Sequence, residues 1–179
     1  MSLRADKTTA MRVTLCGTLT ALAFALAFLE HLLPIQALIP VPGIKLGLAN
    51  IVTLFALGFL DKRYAVCIVV ARCVLQNMLF GSMSALLFSL SGGLLALFCM
   101  AVLFRGYGSW FSLFGISVAG AACHNLGQVL CAMAYFQSAA ILSYLPVLLA
   151  LSIPMGLLTG LVGTVTFPHL RQFSSKFTF

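Results

Sequence analysis

The stretch ALLFSLSGGLLALFCMAVLF, residues 85–104, runs for 20 positions without a charged side chain. A helix needs about 20 apolar residues to cross a hydrocarbon layer about 30 Å thick, so this stretch reads as a bilayer crossing. The same reading extends outward on both sides, to residues 11–33, 46–60, 64–80, 111–135 and 142–167. The expected fold is all-α: an integral membrane bundle of six transmembrane helices forming a single membrane domain over residues 1–179. Composition agrees, with 62% hydrophobic residues, 7% charged residues and a mean hydropathy of +1.14. So little polar surface could not keep a soluble domain in water. Residues 46–60 and 64–80 are short for a full crossing, which implies local bilayer thinning or partial insertion. Residues 11–33 lack the brief apolar core and small-x-small site of a cleavable signal, and read as a permanent helix.

The basic residues set the orientation. Arg4, Lys7 and Arg12 precede the first span, Lys62 and Arg63 join the second to the third, Arg105 joins the fourth to the fifth, and Arg171 and Lys176 follow the sixth. Six crossings put all of these on one face and leave Lys45 alone on the other. The positive-inside rule then predicts a cell-membrane protein with both termini in the cytoplasm. The +7 net charge is explained by that topology. It forms no contiguous stripe, so no nucleic acid is expected as a partner.

Several chemistries find no support. The cysteines Cys16, Cys67, Cys73, Cys99, Cys123 and Cys131 form no CxxC pair and no zinc-like spacing with histidine, and read as small apolar packing. No metal and no cofactor is expected. There is no GxxxxGK[ST] phosphate loop, so ATP-driven movement would need separate subunits. The two halves show no evident inverted repeat of the kind found in solitary carriers.

Polar residues within the spans are more informative. Arg72 falls about 12 Å into its span, near the bilayer middle, with Gln76 one turn further on the same face and Asn77 beside it. His124 and Gln128 share a face of the fifth span. Asn50 lies in the outer half of the second span, while Glu30 and Lys45 stand at the outer rim. An ionisable group at such depth must face protein or water, which makes it a functional candidate. Arg72 could instead tie helix ends or carbonyls together or pair with Glu30, and His124 could be a satisfied interior histidine. As a set, Lys45, Asn50, Arg72, Gln76, Asn77, His124 and Gln128 suit an anionic or hydrogen-bonding small solute held in an outward-facing cavity. Residues 31–45, with Pro34, Pro40, Pro42 and Gly43, read as an irregular apolar segment: a lid over that cavity or plain interfacial packing. Pro146 and Pro154 predict kinks in the sixth span.

Small residues mark helix contacts. Ala21 and Ala25, with the offset pair Ala23 and Ala27, recur every fourth position of the first span; in the sixth, Gly156 and Gly160 form a GxxxG with Gly163 one turn further. Such ladders let helix backbones approach closely, either within the bundle or against another membrane subunit.

The run Pro42-Gly43-Ile44-Lys45-Leu46-Gly47-Leu48-Ala49-Asn50-Ile51, with Arg72-x-x-x-Gln76-Asn77 and His124-Asn125, resembles the Gx transporter family. That family is also called heptaprenyl diphosphate synthase component I, and the resemblance extends from about Arg12 to Pro168. It is in turn similar to the substrate-binding S components of energy-coupling factor transporters. This implies an outward-facing site beneath a long first loop, and partners in a transmembrane coupling subunit and ATPase subunits. It assigns subunit docking to Ala21, Ala23, Ala25 and Ala27 on helix one. The synthase name implies an enzyme, but such enzymes hold magnesium and diphosphate on aspartate-rich motifs. Here the acids are Asp6, Glu30 and Asp61 alone, far apart in sequence, so no enzyme is expected. The alternative is a non-catalytic accessory subunit for heptaprenyl diphosphate synthesis, quinone side-chain biosynthesis or membrane electron transfer.

Overall fold

A computed structural model of the chain describes residues 2–32, 45 and 47–176, with side chains described for 10–32, 45 and 47–169. These residues form helices α1 (Ser2–His31), α2 (Asn50–Phe59), α3 (Lys62–Phe80), α4 (Met83–Leu103), α5 (Leu113–Phe136) and α6 (Leu145–Lys176). Two 3-10 turns, Phe104–Gly106 and Ala139–Tyr144, lead into α5 and α6. Lipid offers no hydrogen-bond partners to a backbone, so an apolar chain satisfies its amides within helices. Polar side chains on α1 do the same locally: the hydroxyls of Thr14, Thr18 and Thr20 each donate to the carbonyl four residues earlier. Ser82 and Ser112 cap α4 and α5, accepting from the Ala85 and Gly115 amides at 3.2 Å.

Five of the helices are long and apolar enough to cross a membrane; α2 is not. At 10 residues, α2 is about 15 Å long. It touches all five other helices, and its residues Asn50, Ile51, Val52, Thr53, Leu54, Phe55 and Ala56 are buried. The short second span is therefore a half-length helix wrapped in protein, with no lipid-facing crossing of its own. Other boundaries move less, apart from α1, which begins at Ser2 ahead of the expected residue 11, and α6, which continues past the expected residue 167 to Lys176. Pro146 falls in the first turn of α6, where its missing N–H costs nothing, so it makes no kink. Pro154 lies inside the same continuous helix.

Glycines set the closest approaches. A Cβ at Gly156 would overlap the Val118 backbone, and one at Gly160 would lie 2.8 Å from the Phe114 Cα. The GxxxG face of α6 therefore packs on α5 within the bundle. Gly127 of α5 meets Gly92 of α4 backbone to backbone, where a Cβ would lie 2.9 Å from the Gly92 Cα.

The two ends of the bundle differ. Helix order places Arg4, Lys7, Arg12, Lys62, Arg63, Arg105, Arg171 and Lys176 at the end that carries both termini. There Arg12 pairs with Asp61 at 3.0 Å, joining α1 to the start of α3. Phe55 and Phe59, in the second half of α2, pack with Phe104, Tyr107 and Phe167 at the same end. At the opposite end Phe24, Phe28 and His31 of α1 gather around Phe80 of α3.

Candidate functional site

Polar side chains from separate elements meet inside the apolar bundle, next to the start of α2. Arg72 and Gln76 come from α3, His124 and Gln128 from α5, Asn50 from α2 and Glu30 from α1. Each is at most 3% exposed. Just before α2 the chain is not helical, and its amides need partners at a depth where water is scarce. Glu30 supplies two of them, its carboxylate accepting from the Gly47 amide at 2.7 Å and the Leu48 amide at 3.1 Å. Gln128 supplies a third, its Oε1 accepting from the Lys45 amide at 3.2 Å.

Glycines let this segment and its neighbours close in. Gly47 has φ +87°, and a Cβ there would stand 2.8 Å from Asn50 Nδ2 and 3.1 Å from the His124 ring. Gly92 faces α5, where a Cβ would lie 2.8 Å from Gln128 Cγ and 3.3 Å from His124 Cε1. Gly93 faces α3, where a Cβ would lie 3.0 Å from Arg72 Nη2. The adjacent Gly92 and Gly93 thus bring the imidazole and the guanidinium against one short stretch of α4.

Several of these groups have unused hydrogen-bonding capacity. Among the described residues, Arg72 Nε and Nη2, Asn50 Nδ2 and Oδ1, Gln76 Oε1 and Gln128 Nε2 are buried without a partner. Unpaired buried polar atoms are costly, and each calls for an explanation. Arg72 does not pair with Glu30, whose two oxygens take backbone amides instead. Gln76 spends its Nε2 on the Ala27 carbonyl at 3.3 Å, tying α3 to α1. Lys45 is half-buried between α1 and α2, and burial lowers its ammonium to a pKa of about 8, against the opposing pull of Glu30.

Six of the residues proposed from sequence, Lys45, Asn50, Arg72, Gln76, His124 and Gln128, are brought together. Asn77 is not. Its Nδ2 donates to the Cys73 carbonyl of its own helix at 2.7 Å, and its Oδ1 sits against Gly81 at the α3 terminus. Asn125, one residue from His124, ties α5 to α6 through the Leu148 carbonyl and Ser152 Oγ, both at 2.9 Å. The alanine ladder divides. Ala23 and Ala27 are buried inside the bundle, while Ala21 and Ala25 remain exposed. The first pair packs internally and offers no docking surface. The expected lid lies outside the described residues except at its two ends, His31 and Leu32, and Lys45. A separate hollow of about 480 Å³, lined by Tyr107, Trp110, Phe114 and Thr164 among others, lies at the end bearing the termini.

Sequence reasoning passed over Glu30 as a structural anchor, and Gly47, Gly92 and Gly93 as spacers. Signals for both were present. Glu30 is the only acid within the apolar spans, and Gly92-Gly93 interrupts the most apolar of them.

Residues 19–166 match the family model of heptaprenyl diphosphate synthase component I. The chain belongs to that family. No curated protein and no solved structure matches it. Every converging side chain of this component I family member, from Glu30 to Gln128, lies inside the matched stretch. So do two of its acids, Glu30 and Asp61. Glu30 holds backbone amides near the start of α2, and Asp61 pairs with Arg12 at the opposite end of the bundle.

Proposed function

We propose that this component I family member is the membrane-embedded substrate-binding subunit of an energy-coupling-factor-type transporter. It captures a small polar or anionic solute among Arg72, Gln76, His124, Gln128, Asn50 and Lys45, and performs no chemistry on it. The observation that carries this reading is the group of buried, unpartnered donors and acceptors converging from α2, α3 and α5. A bundle built only for packing would leave such positions apolar or mutually paired. The aromatic cluster around the C-terminal half of α2 favours access from the end opposite the termini. With the basic residues in the cytoplasm, that end faces outward across the cell membrane. Energy for inward release would come from a transmembrane coupling subunit and ATPases, with the exposed Ala21 and Ala25 as the remaining docking face on α1.

The family name favours a second reading: a non-catalytic accessory subunit that holds a polyprenyl diphosphate or quinone in the bilayer. Purification in mild detergent, followed by mass spectrometry of retained small molecules, separates the two. A water-soluble compound retained by wild type and lost from Arg72→Ala supports capture for uptake, and a co-purifying ATPase supports it further. A retained polyprenyl diphosphate or quinone would reject uptake in favour of the accessory role.

A further inference from the structure

Resting on the capture reading, we infer that the ligand is a monocarboxylate carrying neutral hydrogen-bonding groups, and that the site selects against phosphates and diphosphates. The first argument is a charge count. Lys45 and Arg72 are the cations of the site and Glu30 is its one anion, a balance of one positive charge. The segment 32–44 contains no charged residue to alter that sum. The next cations along α3, Lys62 and Arg63, are about 15 Å away at the far end of the helix. A single negative charge neutralises this set. A diphosphate would leave charge uncompensated in an apolar interior, and buried unpaired charge is strongly disfavoured.

The second argument is the shape of the donor. The two unpartnered nitrogens of Arg72, Nε and Nη2, form one edge of the guanidinium, a parallel two-donor fork. That edge matches the two oxygens of a planar carboxylate. Gly93 leaves no side chain beside Nη2, where a Cβ would lie 3.0 Å away. Glu30 does not fill the fork: its carboxylate accepts from the Gly47 and Leu48 amides, and neither Arg72 Nε nor Nη2 bonds to it.

The third argument concerns the rest of the ligand. Gln76 Oε1, one turn along α3, awaits a donor, while Gln128 Nε2 and the Asn50 amide offer donors and an acceptor. A hydroxyl or an amide N–H satisfies them. A ligand ammonium would cancel the carboxylate's charge and leave the site's own positive charge unbalanced, so free amino acids fit poorly.

The test uses the full chain in lipid nanodiscs as wild type, Arg72→Lys and Lys45→Gln. Retained molecules are identified by mass spectrometry, and Tm is read with lactate, N-acetylglycine and inorganic pyrophosphate at constant ionic strength. A phosphorus-free acid with one ionised carboxylate in wild type supports the inference, if Arg72→Lys retains it roughly tenfold less or worse through loss of the fork. Should Arg72→Lys fail to fold, Lys45→Gln decides: it removes the net positive charge and must also lower retention. A retained water-soluble phosphate ester or water-soluble neutral compound overturns the inference while leaving capture intact, whereas a polyprenyl diphosphate or quinone overturns both. If nothing is retained, a Tm rise with lactate or N-acetylglycine that vanishes in the variants supports it. No rise with either probe overturns both this inference and the capture reading.

Discussion

Arg72 illustrates how one residue's setting defines its use. Its sequence position allowed three readings: a helix tie, a partner of Glu30 or a ligand contact. The structure removes the second, since the described residues show no ion pair between Arg72 and Glu30, whose carboxylate receives the Gly47 and Leu48 amides. Gly47 is the most exacting of the neighbours. With φ +87°, an alanine there would adopt a left-handed conformation that costs about 1–2 kcal/mol. Its Cβ would also press on Asn50 and His124. Gly47→Ala is therefore expected to lower Tm and weaken solute retention together, as thermal unfolding and a retention assay on the same preparation would register. Lys45 gives a pH prediction. Its pKa is about 8 in the folded protein and 10.5 when unperturbed, so between those values the unfolded chain binds more protons. Stability therefore rises with pH across that window, with its full contribution present above the upper value and lost as pH falls through about 8. Anion retention runs the other way, because the ammonium charge disappears above about pH 8. Opposite slopes of Tm and retention between pH 7 and about 10 are the expected signature, and Lys45→Gln should flatten both.

At the scale of elements, small residues that look alike in sequence serve different ends. Gly156 and Gly160 of α6 lie directly on the α5 backbone at Val118 and Phe114, so Gly156→Leu forces the helices apart. Overpacking of this kind costs roughly 1–3 kcal/mol, and Tm should fall accordingly. Ala25 lies on the exposed face of α1. Ala25→Leu should leave Tm unchanged while reducing co-purification of a coupling subunit, and unaltered co-purification would remove α1 from the docking surface. Helix periodicity placed Ala21, Ala23, Ala25 and Ala27 correctly within one helix. Which pair faced inward depended on where α3 packed, and a single sequence carries no such information. The half-length α2 shows the same limit. Its apolar run signals burial, but burial in lipid and burial in protein favour the same residues.

For the whole molecule, the segregation of basic residues to one end leads to a topology prediction. A fluorescent protein fused after Phe179 should fold and fluoresce in the cytoplasm, and alkaline phosphatase fused after Ser138, between α5 and α6, should be active outside. The reverse pattern would invert the proposed direction of capture. The sequence by itself determined that this chain is an all-helical membrane bundle, because lipid demands internally satisfied backbones and long apolar runs, both readable position by position. It also supplied the polar residues from which a site could be built, since ionisable and amide groups are conspicuous against so apolar a background. Only the tertiary structure decided which of them meet. Gly92 and Gly93 admit α3 and α5 to one stretch of α4, and Glu30 reaches across from α1 to hold the start of α2. Both turned Asn50, Arg72, Gln76, His124 and Gln128 into one cluster while leaving Asn77 on its own helix. Contacts between distant parts of a chain depend on the packing of every helix at once, and spacing along one helix cannot encode them.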